Sequence, residues 1–187
     1  MQSQARRQHG FTLIELMMTI TIATILLTLG LPSMGSLVSS SESRAARQDL
    51  WTALNVARAG AVTSRRRHVI CPSTDHTTCS GGLRWDHGWI VFLDNNENGL
   101  RDGDDAIVSA GNAARQGVVI STTAGRDRVS FRTDGSSAGN NATFTICDRR
   151  GVGNATSLVV SNPGRIRSGT PTSASATQTC ALLDNGA

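Results

Sequence analysis

From Phe11 to Met34 the chain carries a single charged side chain, Glu15, and from Leu16 to Ser41 it carries none. A helix of about 20 apolar residues is long enough to span a bilayer. Residues 11–34 are therefore expected to form a membrane-spanning helix, and whatever follows must fold while tethered to it. Ahead of this stretch stands MQSQARRQHG, residues 1–10, which holds Arg6 and Arg7 and almost nothing apolar. An ordinary secretory leader is cut after its apolar region, at a small-residue site. Here the basic segment ends in Gly10 before the apolar region begins, so any cut is expected ahead of the apolar helix, which stays on the mature chain.

Glu15 breaks the apolar pattern, and a carboxylate in a membrane helix costs roughly 2.5 to 3.5 kcal/mol even on lenient insertion scales. A carboxylate kept there at such a cost suggests a role. The plainer reading is an uncleaved anchor with a stray Glu. GFTLIEL, residues 10–16, resembles the processing motif of type IV pilins and pseudopilins. The resemblance implies cleavage after Gly10 by a prepilin peptidase and N-methylation of Phe11. It also implies that Glu15 guides docking against other pilins or pseudopilins through the N-terminal helix. The implied location is the bacterial inner membrane, single-pass with the globular part in the periplasm, and then a pilus or pseudopilus.

Removing ten residues from the 187 leaves room for the anchor helix and one modest globular domain. The formal charge is +4, and all 18 basic residues are arginine. An arginine fork matches phosphate oxygens two at a time, so such a surface suits polyanions; genomic codon bias explains a lysine-free chain equally well. Four cysteines, at 71, 79, 147 and 180, are an even number in a domain expected to face an oxidising compartment. Sequence permits three pairings. Cys71 with Cys79 and Cys147 with Cys180 is the expected one, the short loop closing at low entropic cost and the long one pinning the Thr/Ser-rich tail, 168–179.

Residues 35–64 read as the amphipathic half of the helix. Leu50, Leu54, Ala57 and Ala61 recur at helical spacing on one stripe, with Arg44, Arg47 and Arg58 largely off it. Pro32, helped by Gly30 and Gly35, predicts a kink or melted turn near 28–35. Beyond Arg65–Arg67, whose charges suit a helix C-terminus, the texture changes to short apolar runs punctuated by Gly, Asn, Asp and Ser. Strands are expected near 68–71, 88–93, 106–109, 117–121, 128–133, 143–147, 157–161 and 165–167. The fold class is α+β: a long helix packed on small antiparallel sheets or a sandwich, with 65–187 as the β domain. ARAGAVTSRRRHVICPS and GWIVFLDNNENGLRDGDDAI resemble the FimT/GspH family of minor pilins and pseudopilins, which extends the likeness over nearly the whole chain.

Several residue sets invite a ligand. Asp94, Asn96, Asn98, Gly99, Asp102 and Asp105 occupy positions 1, 3, 5, 6, 9 and 12 of a calcium loop, and Leu100 stands at position 7 to offer its carbonyl. Against this, position 12 is Asp rather than Glu, EF helices are missing, and such clusters also make hairpin turns; the leading expectation is a chain without cofactor. Cys71, Asp75, His76 and Cys79, with His68 and His87 near in sequence, have zinc-ligand chemistry, but an oxidised loop explains the same cysteines. Trp85 and Trp89 could stack bases, although Trp89 is expected in the core. No Ser/His/Asp set or carboxylate pair stands at a constrained spacing, so catalysis is not expected.

After the Asn162-Pro163-Gly164 turn, Arg165 and Arg167 fall on one face of a strand, about 7 Å apart, with Ile166 turned inward. Two such forks can straddle adjacent phosphates. The GRIR sequence resembles the DNA-binding motif of FimT-type minor pilins that take up DNA in natural transformation; Arg149 and Arg150 are the next candidates, in a Gly-rich loop expected to border the same face. Protection of an exposed sheet edge is the simpler role for these arginines. The reading is a minor pilin that binds DNA. A type II secretion pseudopilin of the H kind and a priming subunit without a ligand are the alternatives.

Overall fold

The computed structural model describes residues 11–184, apart from the side chains of 29–33 and 184. Gly10 and the rest of the leader lie outside the described residues. The chain divides into two compact units at Leu37 and Val38, and one helix, α1 (Leu13–Ser64), begins in the first and ends in the second.

In the first unit the side chains from Phe11 to Leu27 point outward all round the helix, and Phe11, Leu13, Ile14, Met18 and Leu26 are strongly exposed. A helix apolar on every side is stable only when something else covers it. Among the described residues no helix is long and apolar enough to cross a membrane. Residues 28–35 are helical throughout, so of the kink or melted turn that the sequence predicts there, the melted turn does not form. Proline removes only one backbone donor, and the bonds on either side hold the helix.

In the second unit α1 is packed on two four-stranded antiparallel sheets. The strands are β1 (Arg67–Pro72), β2 (Trp89–Asp94), β3 (Ile107–Gly111), β4 (Val118–Thr122), β5 (Val129–Phe131), β6 (Ala142–Asp148), β7 (Thr156–Val160) and β8 (Ile166–Gly169). Sheet one has the order β3-β2-β1-β5 and sheet two β4-β6-β7-β8. All eight lie within two or three residues of their expected places. The helical stripe Leu50, Leu54, Ala57 and Ala61, widened by Ala46 and Ala53, is buried against Ile70 and Val91 of sheet one and Ile120, Phe144, Ile146 and Leu158 of sheet two. Trp85 lies edge-on to Phe144, with centroids 4.9 Å apart, and both Trp85 and Trp89 belong to this core. The base-stacking role considered for them is therefore excluded by burial.

The outer face of each sheet needs its own cover, and each cover is fixed by a disulfide. On sheet one Val69, Cys71, Ile90 and Phe92 form a second cluster against Cys79, and Cys71 is bonded to Cys79 with Cα atoms 5.6 Å apart. Both thiols are consumed there, which removes the zinc reading of Cys71, Asp75, His76 and Cys79. On sheet two Cys147 is bonded to Cys180, Cα atoms 5.3 Å apart. Cys180 lies on a second helix, α2 (Ser173–Asp184), where the sequence predicts a flexible tail. The Thr172 hydroxyl caps this helix by accepting the Ser175 N–H (3.2 Å). Ala176 and Thr179 face inward and are buried, and the Thr179 hydroxyl meets that of Ser121 on β4 at 2.6 Å. Replacing both Cys147 and Cys180 by serine should leave the sheets formed but release α2. Amides of 173–184 are expected to lose hydrogen-exchange protection while those of β6 and β7 keep theirs.

Candidate nucleic-acid interface

The arginines separate into those spent on the fold and those left at the surface. Arg84 grips Asp86 through two bonds of 2.9 and 2.6 Å, Arg128 pairs with Asp127 at 2.8 Å, and Arg67 reaches the Glu97 carbonyl (2.6 Å) and carboxylate (3.1 Å). Arg66 donates to Asn95 Oδ1 at 2.9 Å. Arg66 and Arg67 thus hold the β2–β3 loop, a different role from the expected compensation of the helix terminus.

Arg150 also serves the fold. Its Nε and Nη2 donate to the two oxygens of buried Asp148 at 2.9 and 2.8 Å, and its N–H adds a third bond. Burial pushes the Asp148 carboxyl toward its neutral form, but these bonds outweigh it and hold the carboxyl below its usual range. Register then separates Arg149 and Arg150 from the other candidates. Arg167 on β8 faces Val159 on β7, which faces Thr143 on β6, whereas Arg149 and Arg150 follow Asp148 at the far end of β6. The distance along the strand is about 16 Å, with two strand spacings of about 4.8 Å across. The expectation that these arginines border the same face as Arg165 and Arg167 is corrected: they sit at opposite ends of sheet two. Arg149 instead lines a cavity of about 760 Å³ with Arg84, His87, Arg115 and residues of α2.

Arg165 and Arg167 are both exposed, and Ile166 between them turns toward the core. Among the described residues neither arginine side chain has an ion-pair partner. β8 is an edge strand, and its register with β7 pairs Ile166 with Val160 and Arg167 with Val159. The turn that launches it is anchored on both sides. The Gly164 N–H donates to the Ser161 carbonyl (2.7 Å), and the Ser137 N–H donates to the Asn162 carbonyl (2.8 Å). Gly164 is buried with φ +76°, and a Cβ there would run into the Gly135 carbonyl, which itself accepts Arg58 Nε at 3.1 Å. The glycine of GRIR therefore has a structural reason. It docks the β7–β8 turn on the turn at 132–136 and on α1, and so fixes where the two exposed forks project.

No group of three or more His, Cys, Asp or Glu side chains gathers as a metal site among the described residues. The Asp94–Asp105 stretch is closed by its own hydrogen bonds. Asp105 accepts the N–H groups of Asn95 and Asp102 at 2.9 and 3.0 Å, and Asp102 accepts both the Asn96 and Asn98 amides.

A long N-terminal helix on antiparallel sheets, with an apolar stretch bearing one early Glu, defines the type IV pilin-like fold. The chain belongs to the GspH family, described as type II transport protein GspH, whose model matches residues 46–164. Residues 5–31 match the prokaryotic N-terminal methylation motif. Among solved structures the type IV minor pilin FimU of Pseudomonas aeruginosa is similar at 20% identity and a TM-score of 0.54, covering 80% of this chain and 99% of its own. The minor pseudopilin EpsH of the Vibrio cholerae type 2 secretion system aligns at 11% identity and a TM-score of 0.49, covering 70% of this chain and 98% of its own. No curated protein sequence matches. The chain is thus a GspH-family protein that carries the N-terminal methylation motif.

Proposed function

We propose that this protein is a minor subunit of a type IV pilus that binds duplex DNA through Arg165 and Arg167 for uptake in natural transformation. The observation that carries the reading is the pair of exposed guanidinium groups on the outer face of edge strand β8, unmatched by any acidic partner among the described residues. Arg67, Arg84, Arg128 and Arg150 are tied to Asp or Glu, whereas Arg165 and Arg167 are exposed side by side on one strand face and open to an external anion. Contacts of this kind go to phosphate and carry no base information, which makes binding salt-dependent and sequence-tolerant. In this reading a prepilin peptidase cuts after Gly10, residues 11–34 anchor the protein in the inner membrane with the β domain in the periplasm, and Glu15 docks it among other pilins.

The test is Arg165→Ala with Arg167→Ala in the full-length chain. Each lost phosphate contact removes about 0.9 from the slope of log affinity against log salt, so the slope should flatten by up to about 1.8. The melting temperature should stay put because both side chains are exposed, and transformation should fall while pili still assemble. Unchanged affinity and slope would remove the DNA reading. The family description favours a second role, a minor pseudopilin of type II secretion; deletion that stops protein secretion and spares transformation would select it.

A further inference from the structure

The β2–β3 loop begins at a buried carboxylate, one oxygen of which has no hydrogen-bond partner. Asp94, the last residue of β2, is only 1% exposed. Its Oδ2 accepts the Gly99 N–H at 2.9 Å, which turns the carboxylate into the loop that follows. Its Oδ1 is buried and has no hydrogen-bond partner. Arg67 comes no nearer the carboxylate than 3.9 Å, at Oδ2. A buried carboxylate oxygen without a donor is costly unless a cation or a proton meets it.

The loop around this oxygen has the backbone that a cation site of this spacing needs. Gly99, at position 6, has φ +74°, the sharp turn for which that position is reserved to glycine. The Asn96 Oδ1 accepts the Asn98 N–H (3.2 Å) and the Asn98 Oδ1 accepts the Leu100 N–H (2.6 Å), so two successive turns curl the chain around one centre. The two amide groups converge on a single oxygen, Asp102 Oδ2, at 2.7 and 2.8 Å.

We propose that this loop binds one calcium ion. The ligands are Asp94 Oδ1, the side-chain oxygens of Asn96 and Asn98, the Leu100 carbonyl, Asp102 and Asp105. Every donor is a hard oxygen, and the set mixes three carboxylates with neutral amide and peptide oxygens, as calcium accepts. Three carboxylates do not make a site by themselves here. The three carboxylates do not gather around one point in the ion-free loop, so binding requires the loop to close on the ion, with the Asn96 and Asn98 amides rotating so that the ion replaces them as the positive partner of Asp102. Because Asp105 is shorter than the bidentate Glu usual at position 12, and Arg67 and Arg128 stand close by, affinity belongs at the weak end, with Kd about 10⁻⁴ to 10⁻³ M. Such a site fills at extracellular rather than cytosolic calcium.

The experiment is thermal unfolding and titration calorimetry of the full-length chain in detergent micelles, in chelator, magnesium or calcium at matched ionic strength. With calcium at about 10 mM, ten times the weak end of that range, the melting temperature should rise by about 4 °C. Magnesium, which demands a smaller octahedral site, should leave it near the chelator value. Asp94→Asn keeps an oxygen for the Gly99 N–H and removes the unpaired charge, so it should fold in chelator and lose the calcium shift. Asp102→Asn, on the partly exposed side of the loop, should lose at least about tenfold in affinity and covers the case in which Asp94→Asn does not fold. Equal melting in calcium and chelator, an equal response to magnesium, or wild-type calcium binding in Asp102→Asn would each overturn the proposal.

Discussion

Gly164→Val should unfold the globular unit several degrees below the wild type, even though valine suits strands elsewhere. The residue sits at φ +76°, where an L side chain costs about 1 to 2 kcal/mol and a β-branched one more. The added Cβ also collides with the Gly135 backbone carbonyl, which cannot step aside because it accepts Arg58 from α1 while the N–H of the same residue is bonded to the Arg132 carbonyl. Strain and displaced backbone together are expected to cost about 4 kcal/mol or more, in the range reserved for named backbone and packing faults. For a domain of this size that lowers the melting temperature by about 8 to 16 °C. Circular dichroism of the full-length chain in micelles is the measurement. A change of less than about 2 °C would mean that the β7–β8 turn is not docked as described. Comparison with the Arg165/Arg167 double alanine separates two effects of one short motif, because the arginines affect ligand and salt slope while the glycine affects the fold.

Gly10→Val should stop maturation altogether. The peptidase must approach the peptide bond after residue 10 closely, and only glycine leaves the backbone open there. In cells with active prepilin peptidase the intact mass should therefore retain MQSQARRQHV, and a mature N-terminus at Phe11 would sink the processing reading. Glu15→Ala separates processing from docking. Its carboxylate is proposed to meet the Phe11 amine of a neighbouring subunit, so cleavage should proceed while the variant is missing from sheared filaments. Wild-type incorporation of Glu15→Ala would remove that role.

Much of the fold was legible because it follows from periodicity. The stripe from Leu50 to Ala61 had helical spacing, and the eight apolar runs were short, β-branched and bounded by turn residues, so type and approximate place followed directly. The sandwich and its sidedness were partly legible as well, since Trp89 and the alternating runs had to be buried somewhere. The C-terminal helix was missed because Thr and Ser, which prevail from 168 to 179, favour caps and turns over helix interiors. Its signal was present in weaker form, as Thr172 at a cap position and inward residues at 176, 179, 180 and 183.

The candidate site divides in the same way. Arg165 and Arg167 share a face because strand period is two, and that needed no coordinates. The fate of Arg149 and Arg150 did need them. Two arginines next to Asp148 in sequence can pair with it or face solvent, and only strand register shows that they lie at the other end of sheet two from Arg167. Likewise the sequence placed Asp94 at position 1 of a loop, but only packing buried one of its oxygens without a partner. By itself, then, the sequence determined the helix, the strands, the cysteine count and the early Glu in an apolar run, all of which depend on neighbours within a few residues. Which arginines are spent on carboxylates, which glycine is locked by a distant carbonyl and which charge is left unmatched were decided by the tertiary structure, because each depends on groups far apart in the chain.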